Sequence, residues 1–323
     1  MKVFVTGGTG FLGTHLVNAL LARGDDVTCL VRSNAQAQAF EQRGIHPVSG
    51  DLNDAAALRA GCAGSEIVFH LAGRIAGRNA AEFMAANRDG TARLLDAAVA
   101  ARPRRFVFVS SIAAAGPTEP GHPIDETRPP HPVTPYGRSK LAAEELVRTG
   151  ATPWTIVRPP VVYGEWDRAT LGIFQLARRG VMPLFGDGSQ EISLVHAEDL
   201  TRAFLTVATS ERAGARVYFA SHRETTSGRG LALAVGEAVG RKPLFVPLPT
   251  PVVRGILWTA GTLAGLAGRA SLLSAERAAE FLAPAWTCRS DALTRDTGWE
   301  ATIDLATGVR RAAAWYRQQG WLR

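Results

Sequence analysis

Two short motifs contain the residue types that could do chemistry. The first reads Thr6-Gly7-Gly8-Thr9-Gly10-Phe11-Leu12-Gly13, and the second, far downstream, reads Tyr136-Gly137-Arg138-Ser139-Lys140. Tyr136 and Lys140 are four residues apart, so a helix places the phenol and the ammonium on one face. A free phenol has a pKa of about 10, and a nearby ammonium is expected to lower it. We expect this pair to exchange a proton with a carbonyl or alcohol oxygen.

The glycine motif predicts a dinucleotide site. It follows a strand and opens a helix, which is the context that such a fingerprint needs. Gly7 permits the tight turn, Gly10 lets the backbone approach a pyrophosphate, and Gly13 lets the helix pack on the strand. The helix amino terminus favours the phosphate charge. The expected cofactor contacts here are Gly7, Thr9, Gly10, Phe11, Leu12 and Gly13.

Residues after the next strands indicate which dinucleotide is bound. The second strand ends in Arg32-Ser33, where an NAD site normally has an acid that accepts from the ribose hydroxyl. An arginine suits a 2′-phosphate instead, so we predict NADP over NAD; the alternative is that Arg32 is only a solvated loop residue. The further expected contacts follow the third and fourth strands: Asp51 and Leu52, then Leu71, Ala72 and Gly73.

Serine hydroxyls follow the fifth predicted strand. Ser110 and Ser111 lie at the carboxyl edge of the sheet, where ligands bind in such folds. A hydroxyl at this edge can hold a substrate oxygen, and the alternative role is a helix N-cap.

Strands alternate with helices through the first half of the chain, which predicts an α/β fold. The strands read as continuous apolar runs, as expected of a parallel sheet that is covered on both faces. The predicted strands are Val3–Thr6, Asp26–Val31, Ile45–Val48, Ile67–His70, Phe106–Val109, Trp154–Val157 and Val217–Ala220. The predicted helices are Phe11–Arg23, Ala81–Ala101, Tyr136–Arg148, Ala197–Ala208, Ala275–Leu282, Asp291–Asp296 and Leu305–Gln318.

The chain becomes rich in glycine and proline after Pro159, and this change in composition indicates two domains. We predict a Rossmann doubly wound parallel sheet with a smaller, loop-rich C-terminal substrate domain. Residues 1–157, with roughly 192–220, would bind NADP, and residues 158–191 and 221–323 would bind substrate. The most hydrophobic stretch, 255–268, is too short to span a bilayer, which takes about 20 residues. We expect a buried helix that lines a pocket, and the alternative is a helix that dips into a membrane surface.

Together these motifs resemble the extended short-chain dehydrogenase/reductases. That superfamily includes sugar-nucleotide epimerases and dehydratases, 3β-hydroxysteroid dehydrogenases and dihydroflavonol reductases. The matching segments run in family order: TGGTGFLG, GDL at 50–52, HLAG at 70–73, NRDGT at 87–91, FVFVSS at 106–111, PYGRSK at 135–140, RPPVVYG at 158–164 and GDGSQEISLVHAEDL at 186–200.

The resemblance implies an enzyme with a Ser–Tyr–Lys triad. Ser111 matches the family's serine by its spacing to Gly116, Tyr136 would be the acid/base, and Lys140 would activate it. By the same resemblance, Tyr136 and Lys140 also contact the cofactor. So do residues of two further segments, Asn87 and then Pro159, Val161 and Val162.

Departures from the family pattern narrow the activity. Dehydratases carry Asp-Glu after the catalytic hydroxyl, whereas this chain has Ile112-Ala113, which argues against elimination of water. Epimerases carry Arg-Asp-Phe where this chain has Ile192-Ser193-Leu194, so an arginine that would pair with a diphosphate is missing. The carboxyl half adds apolar side chains that either line a pocket or fill a core: Leu257, Trp258, Leu263, Leu266, Leu272, Leu273, Phe281, Leu282 and Trp286.

We therefore expect an NADP-dependent oxidoreductase that interconverts a secondary alcohol and a ketone or aldehyde on a hydrophobic substrate. One alternative is a sugar-nucleotide epimerase, with a diphosphate cradle drawn from Arg158, Arg168, Arg178, Arg179 and Arg254. The other is a non-catalytic NADP(H) sensor, against which the Tyr–Lys pair argues.

Charge, cysteine spacing and targeting signals limit the partners, metal sites and cell compartments that we expect. The net charge of +7 is spread along the chain with no basic run interleaved with aromatics, so we expect no nucleic-acid partner. The three cysteines lack metal-ligand spacing, and no metal site is expected. No leader sequence precedes the first strand, which favours the cytoplasm. Peripheral membrane contact remains open, and by resemblance a homodimer would form through the helices Ala81–Ala101 and Tyr136–Arg148.

Overall fold

Strands and helices alternate as far as Arg158. A computed structural model describes residues 1–267, 271 and 277–322. The first elements are β1 (Lys2–Thr6), α1 (Phe11–Ala22), β2 (Asp26–Val31), α2 (Asn34–Glu41), β3 (His46–Ser49), α3 (Ala55–Cys62), β4 (Ile67–His70), α4 (Ala80–Phe83), a π-helical segment (Met84–Asp89), α5 (Gly90–Ala101), β5 (Arg105–Val109), α6 (Ile112–Ala115), α7 (Pro135–Thr149) and β6 (Trp154–Arg158).

Shorter strands and helices follow. They are β7 (Val161–Tyr163), α8 (Leu171–Arg178), β8 (Val181–Phe185), β9 (Glu191–His196), α9 (Ala197–Thr209), a 3-10 turn (Glu211–Ala213), β10 (Arg216–Phe219), β11 (Thr225–Ser227), α10 (Gly228–Ala238), β12 (Leu244–Leu248), α11 (Thr250–Leu266), α12 (Ala278–Phe281), β13 (Ala285–Trp286), α13 (Asp291–Thr297) and α14 (Leu305–Gln318).

A seven-stranded parallel sheet forms the centre of the molecule, in the order β10-β6-β5-β4-β1-β2-β3. Successive residues of β1 serve opposite faces: Val3 and Val5 pack towards α1 and α9, and Phe4 packs towards α3, α5 and α7. Because both faces are covered, the central strands are mostly apolar. The α/β fold class and the Rossmann architecture are confirmed.

Smaller sheets lie outside the main one. β9 pairs with β7, β11 and β13, and β8 pairs with β12 in parallel. A separate apolar cluster joins α8, α10 and α14, with Phe174, Val235 and Tyr316 buried in it. These contacts join segments far apart in sequence, which is why local patterns in 160–188 showed only a region rich in glycine and proline.

Three expectations need correction. The predicted helix Ala81–Ala101 is divided, because residues Met84–Asp89 form a π-helical segment. The predicted buried helix at 255–268 is wrong, since α11 buries only Val253 and Leu257. In Ala275–Leu282 the helix is Ala278–Phe281, and positions 275 and 276 lie outside the described residues, as do Gly268, Leu272 and Leu273.

The apolar set predicted to line a pocket is also divided. Leu257 and Trp286 are buried, while Trp258, Leu263 and Leu266 are exposed. Within the described residues, no helix is both long and apolar enough to cross a bilayer.

Candidate active site

The predicted site residues gather at one edge of the main sheet. They follow the carboxyl ends of β1 to β6, and parallel pairing brings those ends together. The strand order reverses between β1 and β4, because the chain runs outwards to β3 on one side and to β6 on the other. Open α/β sheets bind their ligands in the crevice at such a point.

The glycine loop between β1 and α1 packs too closely on neighbouring backbone to accept side chains at Gly7 and Gly13. Gly7 has a φ of 81°, and a Cβ there would lie 2.6 Å from the Ala72 nitrogen. A Cβ on Gly13 would lie 2.0 Å from the Gly7 carbonyl oxygen. Gly10 caps α1 without any side-chain hydrogen bond, so the first amides of the helix remain available to a ligand. Thr9 is exposed, and Phe11 and Leu12 are half-buried beside the loop.

The ends of β2 and β3 carry the predicted adenosine contacts. Arg32 and Ser33 are exposed, and the Ser33 hydroxyl caps α2 by accepting from the Gln36 amide. The Arg32 side chain makes no ion pair with any described residue. Asp51 is also exposed and accepts from the Asn53 amide, and Leu52 packs against Gly90.

Beyond β4, three predicted residues meet around Gly73. A Cβ on Gly73 would lie 3.0 Å from Asn87 Oδ1 and 4.0 Å from Lys140 Nζ. Asn87 is buried in the π-helical segment, donates to Ser139 Oγ at 2.9 Å and accepts from the Arg74 amide at 2.6 Å. The wider helical turn thus places the Asn87 amide between β4 and α7. Such π-turns are often found at functional sites.

The two serines after β5 point in different directions. Ser110 Oγ donates to Glu144 Oε1 at 2.6 Å, beneath the site. Ser111 caps α6 by accepting from the Ala113 amide at 3.1 Å, and its hydroxyl lies near enough to Tyr136 to act on the pKa of the phenol. Capping and contact with Tyr136 are therefore compatible for Ser111.

Tyr136 lies in the first turn of α7, which Thr134 caps. Its ring is edge-on to Phe83, with centroids 6.1 Å apart. Burial raises the pKa of Tyr136 above its ordinary value, and the hydrogen bond from Ser111 opposes that shift. This differs from the expected lowering by Lys140, because desolvation outweighs the favourable contacts of the phenolate.

Lys140 is buried one turn after Tyr136. Its ammonium donates to the Val109 carbonyl oxygen at 2.8 Å and lies 4.1 Å from the centre of the Phe108 ring. Burial lowers the pKa of Lys140 to about 7, although the Glu144 carboxylate one turn further acts in the opposite direction.

Glu144 is a site residue that sequence reasoning missed. It is fully buried and accepts from Arg158 Nη2 at 2.6 Å and Nε at 2.8 Å, as well as from Ser110. This pair joins α7 to β6 below the Tyr–Lys face. Its signal in the sequence was the spacing 136, 140, 144, which continues one face of the helix.

Arg277 and Glu280 also lie at the site and had no sequence signal. The Arg277 guanidinium lies 6.0 Å from the centre of the Tyr136 ring and donates to Glu280 at 3.0 Å. Glu280 raises the pKa of Tyr136 and Arg277 lowers it. Only the tertiary fold brings Arg277 and Glu280 close to the amino end of α7, where Tyr136 lies.

The remaining predicted contacts lie between β6 and β7. The Pro159 carbonyl accepts from the Ile112 amide at 2.9 Å, which holds this segment against α6. Val161 is exposed and Val162 is half-buried, and both belong to β7.

These features fit a nicotinamide dinucleotide. The glycine loop has room only for backbone, the amides at the start of α1 have no side-chain cap, and Asn87 and Lys140 converge on Gly73. Such a loop and helix amino terminus suit a pyrophosphate.

Comparison with known proteins gives a consistent result. The family model described as the NAD dependent epimerase/dehydratase family matches residues 3–219. The chain is 33% identical to the ceramide reductase of Caulobacter vibrioides, over 99% of this chain and 96% of that protein. It is 31% identical to the 4-hydroxy-2-methyl-3-oxo-4-farnesyl-3,4-dihydroquinoline-1-oxide ketoreductase of Stigmatella aurantiaca, over 96% of this chain and 95% of the relative.

Solved structures show the same fold. The UDP-glucose 4-epimerase of Thermotoga maritima, solved with UDP-glucose, superposes with a TM-score of 0.80 at 22% identity, covering 99% of each chain. At this identity the similarity concerns the fold alone.

Proposed function

Because the chain belongs to the NAD-dependent epimerase/dehydratase family of the extended short-chain dehydrogenase/reductases, we propose that it is an NADP-dependent reductase of hydrophobic carbonyl compounds. It is an oxidoreductase that uses a nicotinamide dinucleotide. The proposal adds the preference for NADP, the ketone or aldehyde substrate with its secondary alcohol product, and the triad of Ser111, Tyr136 and Lys140.

The observation that carries the proposal is the apolar packing around Ser111 and Tyr136. Phe83 contacts the Tyr136 ring, and the helix α6 that Ser111 caps contributes to an apolar cluster. This cluster contains Ile112, Ala115, Ile124, Phe219, Ala283, Trp286 and Cys288, with Val133 and Ile192 packed against it. Apolar surroundings with a few directed polar groups suit a hydrophobic ligand.

The same region offers little to a sugar diphosphate. Ile192, at the position where epimerases have arginine, packs against the apolar cluster. Arg158 is buried in its pair with Glu144, and Arg168 stacks on Trp321 at 4.4 Å from the ring centre. Two of the five arginines proposed for a diphosphate cradle are therefore already engaged.

The named activities of the full-length relatives support the same substrate class. Both are reductases, and ceramide and a farnesyl-bearing quinoline each carry a large hydrocarbon part. We infer a ketone or aldehyde that carries a similarly large apolar group.

The residues at the site suggest which group supplies the hydride, which donates the proton and which holds the carbonyl oxygen. When bound, NADPH supplies the hydride that the carbonyl carbon receives. Tyr136 is protonated at neutral pH, because burial raises its pKa, so its hydroxyl can donate the proton that turns the carbonyl oxygen into an alcohol. Ser111 holds the same oxygen by a hydrogen bond. The tyrosinate then takes a proton from solvent, and Lys140 favours that anion while it exists.

The proposal includes the cofactor contacts and domain division predicted above. The main sheet draws its strands from residues 2–158 and 216–219, which is the part assigned to NADP. Apolar contacts among α8, α10 and α14 support a separate substrate part.

The test is loss of NADPH absorbance with a panel of ketones and aldehydes of increasing chain length. We expect turnover that rises with hydrophobicity, and a fall of at least about a hundredfold in kcat in Tyr136→Phe with NADPH binding intact. The matched control is Tyr218→Phe. Tyr218 lies on the outer strand β10, and its hydroxyl donates to the Asp296 carboxylate at 2.8 Å, so this variant should retain turnover.

Two results would contradict the proposal. Full turnover in Tyr136→Phe would remove this residue from its assigned role. Conversion of UDP-sugar epimers without net loss of NADPH, with no turnover of apolar carbonyls, would favour an epimerase.

A further inference from the structure

Helix α11 exposes apolar side chains to solvent along much of its length. Its 17 residues bury only Val253 and Leu257, which are four residues apart and face the protein. A second set of apolar residues in α11 is exposed to solvent. Its members recur at spacings of four, seven and three residues, which places them on a different face of the helix from Val253 and Leu257. These residues are 46%, 46%, 62% and 82% exposed, and we call them the α11 stripe: Val252, Ile256, Leu263 and Leu266.

The strand before α11 adds to this apolar surface. In β12, Leu244 and Val246 are 69% and 37% exposed, and alternation places them on one face of the small sheet. Leu244 pairs with Val181 of β8, which is 41% exposed on that face. Exposed apolar residues on consecutive elements form more than the scattered single residues of an ordinary surface.

The sequence segment that contains α11 carries basic residues and no acidic ones. The sequence contains no Asp or Glu between Glu237 and Glu276, although acids are frequent elsewhere. Arg241, Lys242 and Arg254 are exposed in this interval. Arg254 lies one turn before Trp258, which is 62% exposed, so a cation and an indole share one side of the helix. Both can keep an apolar body at a lipid boundary and a polar group in the headgroups.

This surface adjoins the candidate active site. α11 packs against α12, and Arg277, the residue before α12, lies 6.0 Å from the centre of the Tyr136 ring. A hydrophobic molecule held at α11 would therefore be one short helix away from the proposed acid.

We propose that the α11 stripe, with the exposed face of β12, docks on the surface of an anionic phospholipid bilayer. The helix lies in the boundary between headgroups and acyl chains, because its 17 residues fall short of the roughly 20 that cross a bilayer. The cations bind the acidic headgroups and the stripe enters the acyl region. Docking goes beyond the proposed reaction and supplies a route for its hydrophobic substrate.

The test is cosedimentation with vesicles of equal parts phosphatidylcholine and phosphatidylglycerol, in the absence of cofactor and substrate. We expect binding that weakens with salt and is weaker on pure phosphatidylcholine. The double variant Ile256→Gln, Leu263→Gln should bind at least about tenfold less tightly, since two side chains no longer enter the apolar region. NADPH binding, measured separately, should be retained and would show that the variant is folded.

The matched control is Leu233→Gln on α10. Leu233 is 45% exposed, close to the 46% of Ile256, but lies outside the stripe, so vesicle binding should be unchanged. Absence of sedimentation on anionic vesicles, or equal binding by the double variant, would overturn the proposal. So would a dimer in solution that the double variant converts to a monomer without any lipid binding, because a second copy would then be the occupant. Since the assay involves no turnover, its failure is distinguishable from failure of the reductase proposal.

Discussion

At the scale of single residues, burial decides the protonation of the two groups that matter most. It raises the pKa of Tyr136 and lowers the pKa of Lys140 to about 7. Both shifts favour the neutral form, which is the direction that desolvation dictates. A neutral phenol is the form that donates a proton to a carbonyl oxygen, so the protonation state suits reduction.

The buried Lys140 makes folding stability depend on pH. Its pKa falls from 10.5 in the unfolded chain to about 7, so between these values the unfolded state binds more protons and stability rises with pH. Relative to Lys140→Met, the wild type should gain up to about 1.4 kcal/mol of unfolding free energy per pH unit in this window. Urea titrations across the window, without cofactor, measure the difference. Parallel pH curves for the two proteins would show that Lys140 keeps its ordinary pKa.

In the proposed function, the choice of NADP over NAD depends on Arg32. Arg32→Ala should raise the KM for NADPH about tenfold or more and leave that for NADH unchanged, because a charge-assisted hydrogen bond contributes about 1.5–3 kcal/mol. Initial rates with both cofactors measure the ratio. The control is Arg310→Ala, an exposed arginine on α14, which should leave both constants unchanged. An equal effect of Arg32→Ala on the two cofactors would show that Arg32 is a solvated loop residue that does not distinguish NADPH from NADH.

At the scale of elements, the site depends on close approaches between a loop, a strand and a helix. The turn at Gly7 lies against the end of β4, and the first turn of α1 lies against Gly7. Helix α7 is capped by Thr134 and joined to β6 by the Glu144–Arg158 pair. These contacts fix where the helix amino terminus and the Tyr–Lys face lie relative to the sheet.

Gly13→Ala tests the approach of α1 to the glycine loop. The added methyl would meet backbone atoms, 2.0 Å from the Gly7 oxygen and 2.7 Å from the Gly8 Cα, and neither can move without distorting the loop. We expect loss of NADPH binding and about 1–3 kcal/mol less stability. Fluorescence titration and urea unfolding measure these effects.

Gly255→Ala is the control for that substitution. Gly255 lies inside α11, and no atom of the described residues lies within 4 Å of an added Cβ, so the change should leave NADPH binding intact and stabilise the helix by up to about 1 kcal/mol. Normal NADPH affinity in Gly13→Ala would mean that the loop adapts more readily than its packing indicates.

At the scale of the whole molecule, a buried carboxylate ties the carboxyl-terminal segment to the main sheet. Asp199 on α9 accepts from the amides of Thr302 and Ile303 at 2.9 and 2.8 Å, and it pairs with Arg202. Trp299 donates to the carbonyl oxygen of the same residue at 3.0 Å. α14 follows directly and packs in the cluster with α8 and α10.

Asp199→Ala should therefore destabilise the protein by about 2–4 kcal/mol, because hydrogen bonds to a charged group contribute about 1.5–3 kcal/mol each. Hydrogen exchange should accelerate first at Thr302, Ile303 and α14. Asp199→Asn retains an acceptor oxygen and should lose less stability. Equal losses in the two variants would indicate that packing, and not the carboxylate, holds this segment.

Local signals in the sequence were sufficient to predict the fold and the edge of the sheet at which the site residues meet. The glycine spacing, the apolar strands and the Tyr–Lys spacing are each a property of neighbouring residues, so they predicted the Rossmann sheet and the edge where the motifs meet. The structure agrees with the predicted strands to within about two residues, the uncertainty usual at element ends.

Only the tertiary structure decided what surrounds these motifs. Arg277 and Glu280 reach Tyr136 from the far carboxyl half, Arg158 is paired with Glu144, and α11 is exposed although its sequence reads as a core helix. Burial, ion pairing and desolvation depend on which distant segments pack together. Sequence spacing therefore determined which groups are present, and long-range packing determined their charge state, their partners and their exposure to solvent.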